Sequence, residues 1–235
     1  MTEDIRNEIF EQTLKRVWGI GFTDEKTTPY NSKIGGQPYW PMNEEDEYPY
    51  DMIFLAQVNF LEVPNNGSLP KHGILQFYVK DDEILGLDTV AQGKGLKYNG
   101  ALVVYHKYVD ATGDIEPLES PHSPIRKPGK MVFKPRMECI SYSDYRFPAT
   151  IDDSVFEDEE FDGSGSKLLG YPFFTQIDPR EYCEAYQKYD TLLLQLDSDS
   201  EYMLWGDAGV ANFFINCEKL RYGDFSDIFY TWDCC

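Results

Sequence analysis

The sequence predicts an α+β fold, a single β-rich domain built by internal duplication with a few peripheral helices. Apolar residues make up 42% of the 235 residues and aromatic residues 15%, which is typical of a chain that buries a core. Short apolar runs bounded by turn residues predict strands more often than helices. Three blocks also recur in the same order: Ser32–Trp40 with Ser166–Phe174, Phe54–Val58 with Leu192–Leu196, and Gly73–Val79 with Gly209–Ile215.

The recurrence defines the expected organisation of the domain. We expect two copies of one β-rich unit, at approximately residues 29–109 and 163–235, within a single domain of residues 1–235. An irregular segment of residues 110–162 joins them. That segment is rich in turn residues and acid, and it leads into the flexible glycine- and serine-rich run Asp162–Ser166.

The N-terminal region predicts one helix followed by an extended loop. In residues 3–18, apolar side chains recur at helical spacing between charged ones, which is typical of an amphipathic helix. Gly19 and Gly21 are expected to end it. The proline- and glycine-rich stretch Pro29–Pro41 predicts an extended loop over the fold.

The remaining elements are mostly strands. β-Branched and aromatic residues predict them at Met52–Val58, Gly73–Val79, Ala101–Tyr108, around Met131–Phe133, Thr191–Leu196, Val210–Ile215 and Phe229–Trp232. We align the last strand with Val103–His106 of the first copy. A further helix is expected after Asp178, because this N-cap residue is followed by Pro179 and Glu181, and tyrosines continue at helical spacing to Tyr189.

The charge of the chain limits its partners. There are 41 Asp and Glu against 21 Lys and Arg, which gives a net charge of −20. Nucleic acid and anionic membranes are not expected partners, because binding them requires basic residues. One stretch, from Arg126 to Arg136, is basic and contains no acidic residue. It is expected to form a loop or an edge strand.

The acidic residues suggest a face that binds a basic protein. Alternatively, they serve only solubility, which is the more common role of surface charge. The candidate partner-binding residues are Glu44, Glu45, Asp46, Glu47, Glu157, Asp158, Glu159 and Glu160.

Cysteines and histidines indicate neither a metal site nor a disulfide framework. The five cysteines include no C-x-x-C pair, and none of the three histidines is spaced to join them in a zinc site. We therefore expect reduced thiols, no metal and no cofactor. The acidic start Met1–Asp4 differs from a secretory signal and no apolar run is of membrane-spanning length, so a cytoplasmic location is expected.

Several motifs are shared with a known family. Gly35-Gly36-x-Pro38-Tyr39, Phe54–Phe60 and Trp205-Gly206-Asp207-x-Gly209-x-x-Asn212–Ile215 resemble the YwqG-like family of bacterial proteins. The resemblance extends over nearly the whole chain from about Pro29. It implies a compact, internally duplicated α+β domain of unknown function, with no established catalytic residues. Some relatives resemble neighbours of bacterial toxin and immunity genes, which suggests protein binding only by association.

Five residues are candidates for a ligand-binding cleft between the two copies. Gln57 and Gln195 hold equivalent places in equivalent strands, and they either present amides to a shared ligand or tie each strand to its own Gly-x-Pro loop. The second, structural role is favoured for both, as it is for the other three. The candidates are Trp40, Gln57, Gln195, Trp205 and Asp207.

These observations predict a binding protein without an evident catalytic set. The sequence has no nucleophile elbow, phosphate-binding loop or zinc-protease motif, so whether it is an enzyme stays open, with a non-enzymatic role favoured. The expected partner is a basic protein docked on the acidic surface, as for an immunity protein. The alternative is a small-molecule binder or an enzyme using the cleft between the copies. No oligomeric state is predicted.

Overall fold

Ten antiparallel strands of the described chain form one sheet that curls into a nearly closed barrel. The structure is a computed structural model that describes residues 3–42, 47–87, 100–148 and 159–235. In spatial order the strands are β10-β9-β8-β7-β1-β6-β2-β3-β4-β5. Their bounds are β1 Lys15–Thr23, β2 Lys33–Ile34, β3 Met52–Asn59, β4 Ile74–Lys80, β5 Ala101–His106, β6 Gly129–Glu138, β7 Lys167–Leu168, β8 Thr191–Asp197, β9 Val210–Ile215 and β10 Ile228–Asp233.

The helices of the described residues are few and short. They are α1 Glu3–Thr13, α2 Pro179–Tyr182 and α3 Cys217–Tyr222, with single 3₁₀ turns at Phe60–Glu62, Glu159–Phe161 and Glu184–Tyr186. The prediction of a strand-rich fold with few helices is therefore confirmed. Among the described residues, no helix has the length and apolar character needed to cross a bilayer.

The long strands β1 and β6 pair along the middle of the sheet, and four strands continue on each side. The two sides match position by position. Lys33 of β2 pairs with Gln57 of β3, and Lys167 of β7 pairs with Gln195 of β8. Each side also has a bulge in its second strand, between Phe54 and Ala56 and between Leu192 and Leu194. We call the β2–β5 side the first half and the β7–β10 side the second half.

Apolar side chains fill the barrel and also form smaller clusters outside it. Alternation along each strand directs residues such as Trp18, Phe77 and Phe213 into one large inner core. Side chains of opposite parity form an outer cluster on each half, around Tyr78 and around Phe214. The sheet therefore has two apolar faces, which explains why its strands are nearly continuous runs of apolar residues.

The barrel wall has a seam between β5 and β10, the two ends of the strand order. Side chains cross it where backbone pairing stops. Tyr230 Oη donates to the Leu85 carbonyl at 3.0 Å, and Trp232 Nε1 donates to the Ile84 carbonyl at 2.8 Å. These contacts join β10 to the segment between β4 and β5, and so connect the two ends of the strand order without a backbone ladder.

The predicted N-terminal helix is too long. It ends at Thr13, and Lys15–Thr23 is a central strand. The helical periodicity misleads here, because Trp18 and Ile20 also alternate as strand residues and point into the inner core. Gly19 and Gly21 lie within the strand and do not end the helix.

Three smaller predictions also need correction. The helix after Asp178 has its predicted cap, since Asp178 accepts from Arg180 N, but it stops at Tyr182. β10 aligns with β5 one residue later than expected, because Thr231 pairs with Asn212 as Val104 pairs with Gln76. The basic stretch belongs partly to β6, which is a central strand and not an edge.

Candidate functional site

Gln57 is fully buried and bonded within the first half. Its Oε1 accepts from the backbone N–H of Tyr39 at 2.9 Å and from Gln76 Nε2 at 3.1 Å. Its Nε2 donates to the carbonyls of Pro29 and Asn31. All the hydrogen-bonding groups of this amide are therefore used to hold the Gly-x-Pro loop on the sheet.

Gln195 repeats this arrangement in the second half. Its Oε1 accepts from Phe173 N at 2.8 Å, and its Nε2 donates to the carbonyls of Gly163 at 3.0 Å and Gly165 at 2.8 Å. Asn212 then donates to the Phe173 carbonyl at 2.8 Å, as Gln76 does to that of Tyr39. Since each amide bonds only to its own half, the structure does not bring Gln57 and Gln195 together at one cleft.

The two tryptophans lie in different cores. Trp40 belongs to the outer cluster of the first half and packs edge-on against His106 and Tyr48, with ring centroids 5.0 and 5.2 Å apart. Trp205 is completely buried in the inner core beside Trp232. Neither indole is available to a ligand in this arrangement, because both are covered by other side chains.

Asp207 is exposed at the turn that leads to β9. The turn is closed by Gly209 N, which donates to the Trp205 carbonyl at 2.7 Å, and the Asp207 carboxylate bonds to no described residue. Gly206 has φ +56°, and a Cβ there would lie 2.6 Å from Cys234 Sγ. The glycine, and not the aspartate, therefore enables the close approach at this turn.

The acidic candidates are only partly described. Glu44, Glu45, Asp46, Glu157 and Asp158 lie outside the described residues, as does the side chain of Glu159. Glu47 is exposed. Glu160 accepts from Arg6 Nη2 at 2.5 Å, which joins the acidic segment to α1.

An open groove with a volume of about 740 Å³ lies on the outside of the second half. We call it the aromatic groove. One wall comes from the segment after β6 and the other from the segment that leads into α2. Its lining is Tyr142, Ser143, Asp144, Tyr145, Phe147, Pro148, Phe173, Phe174, Thr175, Gln176, Ile177, Asp178, Glu181, Ala208 and Cys235.

Hydrogen bonds of Ser143 and Tyr145 hold the two walls together. Ser143 Oγ donates to the Pro172 carbonyl at 3.3 Å and accepts from Phe174 N at 3.1 Å. Tyr145 N donates to Asp178 Oδ2 at 3.1 Å. These bonds use backbone groups of both walls, so the groove is pre-formed and not merely a gap between loops.

Beneath the groove lies a buried network of two aspartates and two arginines. Arg180 Nη2 bonds to Asp178 Oδ2 at 2.6 Å and to Asp144 Oδ2 at 3.3 Å, and all three side chains are buried. Arg146 Nη2 bonds to Asp144 Oδ2 at 2.5 Å. The Arg180 guanidinium also lies 4.2 Å from the ring centroid of Phe214. The formal charges of the network cancel.

The network keeps the Asp144 carboxylate ionised. Burial alone would raise the pKa of Asp144, but the hydrogen bonds and charges of Arg146 and Arg180 outweigh burial and hold that pKa below its ordinary value. Chemically, the groove offers aromatic surface, hydroxyls and one exposed free carboxylate, Glu181. It has the parts of a binding site and lacks a nucleophile paired with a base among its described residues.

The surroundings of His106 do not suit a catalytic residue. It is buried, its Nε2 lies 2.9 Å from Gln76 Oε1, and burial lowers its pKa to about 4. Among the described residues, no group of three or more His, Cys, Asp or Glu side chains is placed to hold a metal ion.

The aromatic groove was not predicted from the sequence. The alternation that identifies buried strands does not show which outer faces stay open, and the wall from Tyr142 to Pro148 lies in a segment expected to be irregular. One signal was present: the cap at Asp178 and Pro179 placed a carboxylate beside the aromatic pair Phe173 and Phe174.

Comparison with known proteins gives a family but no activity. No curated protein matches the chain. A family described as a domain of unknown function, DUF1963, matches residues 32–234, which include every strand except β1. The chain therefore belongs to the DUF1963 family.

Proposed function

We propose that this protein is a binding protein that holds a basic segment of a partner protein in the aromatic groove. The observation that carries this proposal is the lining of the groove, which combines five aromatic rings with three carboxylates and contains no lysine or arginine among its described residues. Aromatic surfaces supply most of the energy of protein interfaces. They also attract cations through their ring faces.

The groove needs little rearrangement to receive a segment of a partner. It is pre-formed by the bonds of Ser143 and Tyr145, so little ordering cost falls on this chain when a partner binds. Ile177 is 61% exposed at its rim, an apolar side chain that a partner would cover. Such a rim residue is expected to contribute through buried area.

Charge favours a basic partner at two ranges. Within the groove, Asp144 and Asp178 are already neutralised by arginines, and Glu181 is the carboxylate left for the partner. At longer range the net charge of −20 raises the association rate of a cationic segment. The acidic candidates Glu44–Glu47 and Glu157–Glu160 would add to this attraction.

Fluorescence anisotropy with a labelled peptide of alternating lysine and tyrosine tests the proposal. We expect Glu181→Lys and Ile177→Ser each to weaken binding by about tenfold or more, since they act on charge and on apolar contact respectively. Glu83→Lys is the matched control, because Glu83 is exposed, lies outside the groove lining and undergoes the same charge change. Equal losses in all three variants would show diffuse attraction and no groove site.

A small organic molecule is the second candidate ligand of the groove. Its volume of about 740 Å³ lies within the range of small-molecule sites. Native mass spectrometry of the protein purified from its host separates the two candidates. A retained small mass, insensitive to salt and lost in Ile177→Ser, favours the small molecule.

We infer that the two halves arose by internal duplication and that the chain is YwqG-like within its family. The matched bonds of Gln57 and Gln195 and the matched bulges support a common origin. A cytoplasmic location is also part of the proposal, supported by five free thiols at Cys139, Cys183, Cys217, Cys234 and Cys235.

A further inference from the structure

The end of the barrel where β1 begins carries an unexpected positive surface. The chain closes this end with the loop between β3 and β4 and with α3. Trp18 Nε1 donates to the Pro64 carbonyl at 2.7 Å, and Leu69 and Leu220 are buried in the inner core. Because the closing segments are anchored in this way, the side chains on their outer surface have a fixed base.

Three adjoining hollows lie on this surface, and their charged lining residues are all basic. The first, of about 470 Å³, lies between the β3–β4 loop and α3. The second, of about 310 Å³, shares Ser68 with it, and the third, of about 200 Å³, shares Arg16 with the second. Their described lining contains no Asp or Glu. The cations, which we call the basic end, are Lys15, Arg16, Lys71, Lys107, Arg136 and Arg221.

This composition opposes that of the chain, in which acids outnumber bases by 41 to 21. Several of the cations also lack a carboxylate partner. Among the described residues, Arg16, Lys71 and Lys107 form no salt bridge, and Lys71 Nζ donates only to the neutral oxygens of Asn66 at 3.1 Å and Gly67 at 3.2 Å. Two other members are paired, Arg221 with Glu218 at 3.0 Å and Arg136 with Glu138 at 3.1 Å.

The first hollow is also geometrically defined. Gly73 adopts φ +96°, and a Cβ there would lie 2.7 Å from the His106 carbonyl, so the backbone turns sharply after His72. His72 Nδ1 donates to the Lys107 carbonyl at 3.0 Å. This bond fixes the ring and leaves Nε2 facing away from it, while Tyr222, 81% exposed, forms the opposite side of the hollow.

We propose that the first hollow binds a small phosphorylated compound with a planar ring, of the nucleotide class. Lys71 and Lys107 would hold the phosphate oxygens, since ammonium groups form charge-assisted hydrogen bonds with phosphate. Arg221, which is bonded to Glu218, would line the hollow beside them. Tyr222 would stack on the ring. The volume of about 470 Å³ fits a compound of this size and not a folded polymer. Arg16 in the neighbouring hollow extends the positive field.

Isothermal titration calorimetry with two probes tests the proposal on the full chain. ATP carries both phosphate and ring, and pyrophosphate carries phosphate alone. We expect Lys71→Gln and Lys107→Gln each to weaken the binding of both probes by about tenfold, the size of one lost charged hydrogen bond. Tyr222→Ala should weaken ATP binding and leave pyrophosphate binding unchanged. Lys26→Gln, an exposed lysine outside the basic end, is the matched control.

Each other outcome would overturn the proposal. Absence of heat with both probes would exclude a phosphate site. An equal loss in Lys26→Gln would show that net charge alone governs binding. Tighter binding of a short single-stranded DNA than of ATP would show a polymer surface. Because all four side chains are exposed, thermal unfolding curves should coincide, which separates lost binding from lost folding.

Discussion

His106 and Asp233 occupy matching positions in the two halves. His106 pairs with Ile74 on β4, and Asp233 pairs with Val210 on β9. Both side chains are titratable and largely shielded from water, yet burial acts on them in opposite directions. Burial favours neutral imidazole and so lowers the pKa of His106 to about 4, whereas it favours the neutral carboxyl and so raises the pKa of Asp233. Two predictions follow from this contrast.

We predict that His106 makes the protein less stable as pH falls from about 6.5 to about 4. In this pH window His106 binds a proton in the unfolded chain but not in the folded chain. The stability that neutral His106 contributes above about pH 6.5 is therefore lost on acidification. The lowering of the pKa corresponds to about 3 kcal/mol. Urea unfolding of the wild type and of His106→Gln, which keeps a donor for Gln76, measures the difference. Parallel pH profiles would contradict the prediction.

We predict that Asp233 changes the stability of the protein with pH in the opposite direction. Its folded pKa lies above its unfolded pKa, so its favourable contribution is present at low pH and is lost as pH rises through the folded value. Asp233→Asn keeps an oxygen for the backbone N–H of Gln176, which Asp233 Oδ2 accepts at 2.8 Å. We therefore expect the variant to gain stability relative to the wild type as pH rises from 3 to 8. If the difference in stability between the variant and the wild type is constant over that range, the pKa of Asp233 is not raised in the folded protein.

The buried lysines of the two halves should differ in their effect on stability. Lys167 Nζ bonds to Glu138 Oε1 at 2.7 Å, and Lys167→Met would leave this buried carboxylate with only the half-exposed Arg136, 3.1 Å away, as a cationic partner, at a cost of about 3 kcal/mol. Lys33, at the matching position, donates to the carbonyls of Thr28 and Gln37 instead. Lys33→Met should cost about 1–2 kcal/mol, since it leaves no charge behind.

Chemical denaturation of these two variants and of the double variant Lys167→Met with Glu138→Gln checks this prediction. The double variant should recover part of the loss, because neutralising Glu138 removes a buried charge that has lost its nearer partner. Equal losses for Lys33→Met and Lys167→Met would show that the ion pair has no special weight.

The two glutamines should matter for stability and not for ligand binding. Gln57→Leu and Gln195→Leu each leave buried backbone groups without partners, which costs about 2–4 kcal/mol. Peptide binding by the aromatic groove should stay within about twofold of the wild type under conditions in which both variants are folded. A selective loss of binding in either variant, with unchanged stability, would restore the shared cleft as a site.

Much of the fold was predictable where burial on both faces made the strands distinct. Met52–Asn59 and Val210–Ile215 are examples, because a nearly continuous apolar run of this length is typical of a strand buried on both faces. The short strands β2 and β7 were missed, since two residues carry no periodic pattern. β1 was mistaken for helix because its glycines read as helix ends, while its pairing with β6 depends on residues far along the chain.

The site was less predictable than the fold. The sequence draws attention to residues that recur or are large, such as Gln57, Gln195, Trp40 and Trp205. In the structure, the glutamines hold loops on the sheet and the tryptophans pack in the cores. The aromatic groove and the basic end are formed by loops from distant parts of the chain, such as the meeting of Tyr145 with Asp178 and of Lys107 with Arg221. Local sequence patterns do not show which distant loops lie side by side in the fold.

The seam between β5 and β10 has a consequence for how the barrel moves. Every other pair of neighbouring strands is joined by a backbone ladder, so separating β5 from β10 breaks fewer hydrogen bonds than separating any other pair. Thermal opening therefore begins along this line and spreads inward. Amide protons of β5 and β10 should exchange with solvent sooner than those of β1 and β6 at the middle of the sheet. We therefore expect the wall to yield first along the line between β5 and β10.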